Sequence, residues 1–279
     1  RSQRSSTVFT DSQRRRSPFQ FVHNKIKSTL LAARIDGLAP GATTQRPIQR
    51  VAIMGSGIAG LTLAHALTNS PDLCLKHGIR IGMDDAPFDV SLFDARPSLD
   101  VTAGAGVQLN GGLAVLGNIN TDVQAAVLSA GLPVNRIQSR CKSWGEGRPF
   151  EKLLQLDLRD CVEQTEGLRD VLLQDDNLLW TSIMRGTLQD TLIEKLPAAT
   201  RRNISFGKAL TSLESNRDGT VTCVFADGSQ AGPFDIVMGC DGVKSACKEF
   251  LDTGRISSDA SKREGKSVAV YSGNRIQYA

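Results

Sequence analysis

The sequence is poor in the residues that usually mark metal or hydrolytic chemistry. Its three histidines are scattered, and its six cysteines form no C-x-x-C pair and have no histidine at zinc-ligand spacing. No G-x-S-x-G elbow is present. We therefore expect no metal site and no serine hydrolase, and the scattered cysteines are typical of a reducing compartment.

Long apolar runs are also missing, because none approaches the roughly 18 residues that a membrane-spanning helix needs. Residues 1–46 hold nine Lys and Arg against two Asp, whereas residues 47–279 hold 24 basic and 27 acidic residues. The net charge of +4 thus comes from the N-terminal segment, and a nucleic-acid role would rest on that segment alone. We expect no nucleic-acid partner and no transmembrane segment.

The first 47 residues differ in amino-acid composition from the rest of the chain. They are rich in Arg and Ser, and they end in a loop-like stretch with Gly and Pro. This pattern resembles an organelle transit peptide followed by a linker, and a disordered basic tail is the alternative. The predicted location is a plastid or mitochondrion in the first case and the cytoplasm in the second. The chain begins with Arg1, so it is either processed or an incomplete record.

The segment after residue 50 has the pattern of a βαβ unit. The apolar run 51–54 predicts a strand, a glycine loop follows, and residues 58–67 predict a largely buried helix. Residues 89–93 form a second short apolar and β-branched run. Farther on, residues 111–130 predict a helix broken near Gly117. Residues 183–196 predict another helix, and the runs 204–213, 220–225 and 234–238 predict a three-stranded meander.

The glycine loop fits the G-x-G-x-x-G fingerprint of dinucleotide-binding proteins with Gly55, Ser56, Gly57, Ile58, Ala59 and Gly60. In that fingerprint the first glycine makes the tight turn, the second admits a pyrophosphate, and the third lets helix and strand pack closely. A bare match is weak. The preceding strand and the following helix make it stronger, and they place the phosphate at a helix N-terminus.

Asp94 is the acidic residue that closes the second predicted strand, where the fingerprint expects an acceptor for ribose hydroxyls. It stands 34 residues after Gly60 instead of the usual spacing of about 20, which indicates an insertion at residues 72–87. A capping or turn role is the alternative for Asp94.

Three further segments resemble motifs of one family. Residues 104–109 read GAGVQL, residues 181–188 read TSIMRGTL, and residues 235–245 read DIVMGCDGVKS. Together with the glycine loop, and in the same order, they resemble the N-terminal part of the group A flavoprotein monooxygenases, the para-hydroxybenzoate hydroxylase-like family. The resemblance covers roughly residues 50–250.

The resemblance implies an α/β fold, a Rossmann-like FAD-binding domain (GR2-type) with a mixed β-sheet substrate region. It predicts residues 48–279 to be this domain with an interleaved, incomplete substrate-binding region. Beyond the glycine loop, the implied FAD-binding residues are Asp94, Ala95, Arg96, Gly106, Gln108, Arg185, Asp241 and Gly242. From the residues alone, the alternative for Arg185 is a solvated helix position, and the alternative for Asp241-Gly242 is one more turn.

The sequence departs from the family at two places. Asn110-Gly111-Gly112 stands where the family has a Pro-Asn pair, and no Gly-Asp dipeptide is present for its third motif. We expect that motif to lie beyond residue 279, so that the C-terminal part of the site is missing from this sequence.

The implied activity is that of an FAD-dependent monooxygenase. NAD(P)H would be the electron donor, and one oxygen atom of O2 would pass to an aromatic or unsaturated small molecule. Because the cofactor carries the chemistry, the motifs identify no catalytic acid, base or nucleophile. The alternatives are a flavin reductase or dehydrogenase of the same fold that does not activate oxygen, and an inactive nucleotide-binding module.

Overall fold

A computed structural model describes residues 48–68, 88–99, 105–142 and 150–259. The predictions for the tail 1–47 and for the insertion 72–87 lie outside the described residues.

The described residues form fourteen strands. In chain order they are β1 Arg50–Met54, β2 Asp89–Phe93, β3 Gly106–Leu109, β4 Leu132–Pro133, β5 Arg136–Lys142, β6 Phe150–Asp157, β7 Leu173–Gln174, β8 Asn177–Leu178, β9 Thr181–Met184, β10 Ile204–Ser205, β11 Leu210–Ser215, β12 Val221–Phe225, β13 Gln230–Phe234 and β14 Ile236–Gly239.

Eight helices complete the described elements. They are α1 Ile58–Thr68, α2 Gly112–Ile119, α3 Thr121–Ala130, α4 Leu158–Glu163, α5 Arg169–Leu172, α6 Arg185–Glu194, α7 Ala198–Arg202 and α8 Ala246–Thr253. None of the helices in these ranges combines the length and the apolar character that crossing a membrane requires.

A four-stranded parallel sheet in the order β10-β2-β1-β14 organises the fold. Strand β1 lies inside the sheet and is apolar on both faces, as expected for a parallel strand covered on both sides. Helix α1 joins β1 to the neighbouring β2, so the predicted βαβ unit is confirmed. All four strands run the same way, and their carboxyl ends therefore share one edge of the sheet.

The predicted three-stranded meander is present, and its second strand is correct, but its first strand begins later and its third strand ends earlier than predicted. The antiparallel sheet consists of β11, β12 and β13, whereas β10 and β14 belong to the parallel sheet. The run predicted at residues 234–238 is split at Asp235, whose carboxylate accepts hydrogen bonds from the backbone N–H groups of Gln49 and Arg50. This contact holds the start of β14 beside β1, so the apolar residues after Asp235 pair with β1.

Helices α1, α2, α3 and α6 share one apolar core with the parallel sheet and with β9. The predicted helix break near Gly117 lies instead at Asn120, whose extended backbone ends α2 and whose side chain caps the first N–H groups of α3. The helix predicted from residue 183 starts at Arg185, because Thr181–Met184 pairs with β3 as strand β9.

A second β region consists of antiparallel pairings. Strands β3, β9 and β4 form a small antiparallel sheet, and β5 pairs with β6 as a long hairpin. The hairpin exposes large apolar side chains, namely Ile137, Phe150, Leu153, Leu154 and Leu156. The α/β class predicted from the sequence is confirmed by the combination of the parallel sheet, its neighbouring helices and these antiparallel strands.

Candidate functional site: a dinucleotide cradle

The glycine loop connects the carboxyl end of β1 to α1 at the carboxyl edge of the parallel sheet. Gly55 has a φ of +101°, which favours glycine, and its N–H donates to the carbonyl of Phe93 at 2.7 Å. A side chain at Gly55 would collide with the Cys240 carbonyl, and one at Gly60 would collide with the Gly55 carbonyl. These two glycines are therefore required by the packing of the protein itself.

Gly57 is different, because an added Cβ there would meet no protein atom within 4 Å. The Gly57 carbonyl accepts the first hydrogen bond of α1, from Leu61 at 3.0 Å. The N–H groups of the first helical turn have no partner within the helix, and their dipoles favour an anion. Open space above a glycine at such a helix start fits a pyrophosphate, which needs close approach to the backbone.

Asp94 directly follows β2 and is buried beside the glycine loop. Its Oδ2 accepts hydrogen bonds from the N–H of Ser56 at 2.9 Å and from the Ser56 hydroxyl at 2.6 Å. Arg96 donates to both carboxylate oxygens, with its Nε at 2.9 Å from Oδ1 and one terminal nitrogen at 2.8 Å from Oδ2. The carboxylate thus joins the end of β2 to the glycine loop.

The charge state of Asp94 follows from these contacts. Burial acts to raise the pKa of Asp94, but the hydrogen bonds from Arg96 and Ser56 outweigh it and hold this pKa well below its usual range. The same pairing raises the pKa of Arg96. Asp94 is therefore an ionised acceptor, and a ribose hydroxyl would have to share or replace one of the bonds to Arg96, which is partly exposed.

The second fingerprint lies on the other side of the glycine loop, after β14. The Cα atom of Asp241 would be 3.0 Å from a Cβ at Gly55, and Gly242 has a φ of +80°. The Asp241 carboxylate accepts hydrogen bonds from the Ser245 hydroxyl and from the N–H groups of Ala246 and Cys247. Asp241 therefore holds the start of α8 while its backbone borders the loop.

The remaining predicted residues meet on the small sheet. In the antiparallel ladder of β3 and β9, Gly106 stands opposite Met184 and Gln108 opposite Ser182. Gly106, Gln108 and Met184 are exposed, whereas Ile183 on the opposite face is buried. Arg185 starts α6 directly after β9, and its side chain is exposed. Its N–H donates to the carbonyl of Ala105, so Arg185 lies beside the Gly106 end of this ladder.

Gln189 was not among the predicted site residues. It connects the helix that begins at Arg185 to the glycine loop. It lies on α6 four residues after Arg185, is buried, and donates from Nε2 to the Ser56 carbonyl at 3.2 Å. A polar residue between the buried Leu188 and Leu192 was the available signal, because a buried amide needs a partner. The structure thus ties the helix that begins with Arg185 to the glycine loop.

The predicted site residues fall into three neighbouring groups. The first consists of the glycine loop with Asp94, Ala95 and Arg96, and the second of Asp241 and Gly242. The third consists of Gly106, Gln108 and Arg185. A cleft of about 470 Å³ lies elsewhere, between the start of α3 and the connection from α6 to α7, and contains none of these residues.

Comparison with known proteins gives the class to which this geometry corresponds. No family model matches the chain. A 3-amino-4-hydroxybenzoate 2-monooxygenase from Streptomyces cremeus is 29% identical over 203 residues, which cover 72% of this chain and 42% of that protein. The 3-amino-4-hydroxybenzoate 2-monooxygenase PtnB3 from Streptomyces platensis is 30% identical over 213 residues, which cover 75% of this chain and 43% of that protein.

Solved structures that resemble the chain include 2,6-dihydroxypyridine-3-hydroxylase from Arthrobacter nicotinovorans. The TM-score is 0.45 at 18% identity, and the match covers 74% of this chain and 40% of that chain. The protein CtdE in complex with FAD gives a TM-score of 0.46 at 17% identity, covering 75% of this chain and 42% of that chain.

The homologues of this chain are FAD-dependent monooxygenases. Among them are the two Streptomyces enzymes above and the FAD-dependent monooxygenase pigN from Monascus ruber, which is 26% identical over 217 residues. The chain spans 41–43% of the length of these three relatives.

Proposed function

We propose that this chain forms the dinucleotide-binding part of an FAD-dependent monooxygenase that transfers one oxygen atom from O2 to a small aromatic molecule, with NAD(P)H as electron donor. The observation that carries the FAD assignment is Gly57, where the protein leaves room above the start of α1. The relatives support the reaction class, because those named after their reactions hydroxylate aromatic rings.

Three groups of residues fit FAD. The first turn of α1 would hold the pyrophosphate, Asp94 would accept from the adenosine ribose, and the exposed face of β3 and β9 with Arg185 would bind the flavin end. When bound, the flavin supplies the redox chemistry and the activation of oxygen. The protein supplies binding and orientation. Burial raises the pKa of Cys223 to about 12, so its thiol stays protonated and is a poor nucleophile.

Asp94 has a second task in this proposal, which is to shape the loop that meets the pyrophosphate. Its carboxylate fixes the Ser56 N–H and hydroxyl, and the hydrogen bonds from Arg96 and Ser56 hold the pKa of Asp94 well below its usual range. A bound ribose would share the carboxylate with Arg96, whose side chain is 41% exposed.

The test is the flavin content and the oxygen consumption of the full-length protein. We expect a yellow protein that oxidises NADH or NADPH and consumes O2 when an aminohydroxybenzoate or a related aromatic acid is added, with hydroxylated product in equal amount. Reduction of the flavin by NAD(P)H without oxygen incorporation would identify the reductase alternative. A colourless protein that does not take up FAD would contradict the proposal as a whole.

A further inference from the structure

Ser56 is the point at which three elements meet. It is fully buried, its N–H and hydroxyl donate to Asp94 after β2, and its carbonyl accepts from Gln189 of α6 at 3.2 Å. The backbone of Ser56 is thus held by two partners, the charged Asp94 and the neutral Gln189. Asp94 is a residue of the dinucleotide fingerprint, whereas Gln189 is not.

We propose that Gln189 is a positioning residue of the FAD site. It holds the peptide between Ser56 and Gly57 in the orientation that presents the Gly57 N–H to the pyrophosphate. The inference rests on the proposed function, because it takes the ligand of the loop to be FAD.

The peptide between Ser56 and Gly57 sets the direction of the Gly57 N–H. A trans peptide group is planar, and its C=O and N–H point in opposite directions. When Gln189 binds the Ser56 carbonyl on the α6 side, the N–H of Gly57 must point away from α6. Gly57 is also the loop glycine whose position the protein leaves open. If this peptide rotated, its carbonyl oxygen would point toward the phosphate. The partial negative charge of that oxygen would then repel the anion.

Helix α6 is a suitable anchor because it is itself fixed against α1. The Nε2 atom of His65 on α1 lies 2.7 Å from the carbonyl of Leu192, three residues after Gln189. Both His65 and Gln189 are buried. The same helix begins at Arg185 beside β3. Gln189 therefore fixes the position of the glycine loop relative to the residues predicted for the flavin end.

The test replaces the amide by groups that differ in whether they donate. Gln189→Leu keeps the size and removes the donor. Gln189→Glu donates only when its carboxyl is protonated, and burial raises the pKa of a carboxyl group. FAD affinity would be measured on the full-length apoprotein by quenching of FAD fluorescence between pH 6 and pH 8.5, and folding would be checked by circular dichroism.

We expect Gln189→Leu to weaken FAD binding about tenfold at every pH in this range, as the loss of one buried hydrogen bond predicts. Gln189→Glu should be weakened as much at pH 8.5 and should recover most of its affinity at pH 6. The parent protein should change little with pH. A purely structural role would lower the stability of both variants without this recovery of affinity.

Gln124 offers a matched control. It is also buried and donates from Nε2 to a backbone carbonyl, that of Leu113 at 3.0 Å, but it joins α3 to α2. Gln124→Glu should bind FAD like the parent at each pH. Equal recovery in Gln124→Glu, or unchanged affinity in both Gln189 variants, would overturn the inference while leaving the proposed function intact. If the parent itself binds no FAD, the proposed function falls and the inference with it.

Discussion

At the scale of single residues, Asp94 combines a recognition task with a structural one. Its position after β2 was predictable from the alternation of apolar residues in that strand and from its acidic end. Its two contacts with Ser56 were not, because they join positions 38 residues apart. A sequence fingerprint records the residue types of a site but not the hydrogen bonds that those residues make with one another.

The first prediction concerns the replacement of Asp94 by alanine. The change removes the ribose acceptor and frees the Ser56 N–H, so we expect FAD binding to weaken by about 1.5–3 kcal/mol. Isothermal titration of the apoprotein measures this directly. Arg96→Ala is the control, because it leaves the carboxylate in place, and it should retain more affinity than Asp94→Ala. Equal affinity of Asp94→Ala and the parent would show that the ribose is bound elsewhere.

A second prediction concerns His65 and pH. Burial lowers the pKa of His65, and the smaller opposite effect of its bond to Leu192 does not restore it. In the unfolded chain this pKa is about 6.5, so below that pH the unfolded state binds a proton that the folded state does not. The free energy of unfolding should therefore fall as the pH drops from 7 to 5, by up to about 1.4 kcal/mol per pH unit.

Urea unfolding at several pH values measures this dependence. His65→Gln is the matched variant, because glutamine can still donate to the Leu192 carbonyl but does not titrate. Between pH 7 and pH 5, its free energy of unfolding should change less with pH than that of the parent. Identical slopes in the two proteins would mean that other groups cause the acid sensitivity.

At the scale of elements, the sequence predicted the type of each segment better than its partner. Residues 236–239 are apolar enough for a strand, but nothing local says whether that strand joins the meander or β1. The contact of Asp235 with the backbone at the start of β1 decides it, and this contact joins residues about 185 positions apart. The break between α2 and α3 has a local cause, because the Asn120 side chain caps the first N–H groups of α3. The glycine at position 117 does not cause it.

A third prediction tests the start of α8. The Asp241 carboxylate accepts the N–H groups of Ala246 and Cys247 and the Ser245 hydroxyl, so Asp241→Ala should destabilise the protein by about 1 kcal/mol. Asp241→Asn keeps an acceptor oxygen and should lose less stability than Asp241→Ala. Thermal unfolding of both variants gives the comparison. No loss in Asp241→Ala would show that the carboxylate is not needed for capping and would leave only the cofactor role that the resemblance implies.

At the scale of the whole molecule, the glycine loop, the acidic residue and the βαβ unit were predictable because they are consecutive in the chain. The assembly of the three groups of site residues was not, since Gln189 and Ser56 are 133 residues apart. Burial of α6 against α1 brings them together. The long-range packing of helices therefore determines how the predicted motifs form one site.

A fourth prediction follows from the hairpin of β5 and β6. Ile137 opposes Leu156 and Ser139 opposes Leu154, so Ile137, Leu154 and Leu156 lie on one face, and all three apolar side chains are exposed. A contiguous exposed apolar surface favours association. For the chain of 279 residues, we expect self-association at micromolar concentration, and Leu154→Thr with Leu156→Thr should reduce it. Sedimentation velocity measures the effect. A parent chain that stays monomeric at high concentration would contradict it.

The central claim is that the loop from Gly55 to Gly60 holds the pyrophosphate of FAD, and the absorbance spectrum of purified full-length protein tests it most directly. The parent should carry about one FAD per chain. Gly57→Val should carry little or none and should unfold at nearly the temperature of the parent apoprotein, because a Cβ at this position meets no protein atom within 4 Å. Gly60→Ala, in contrast, should lose stability. Equal flavin content in the parent and in a folded Gly57→Val would contradict the account.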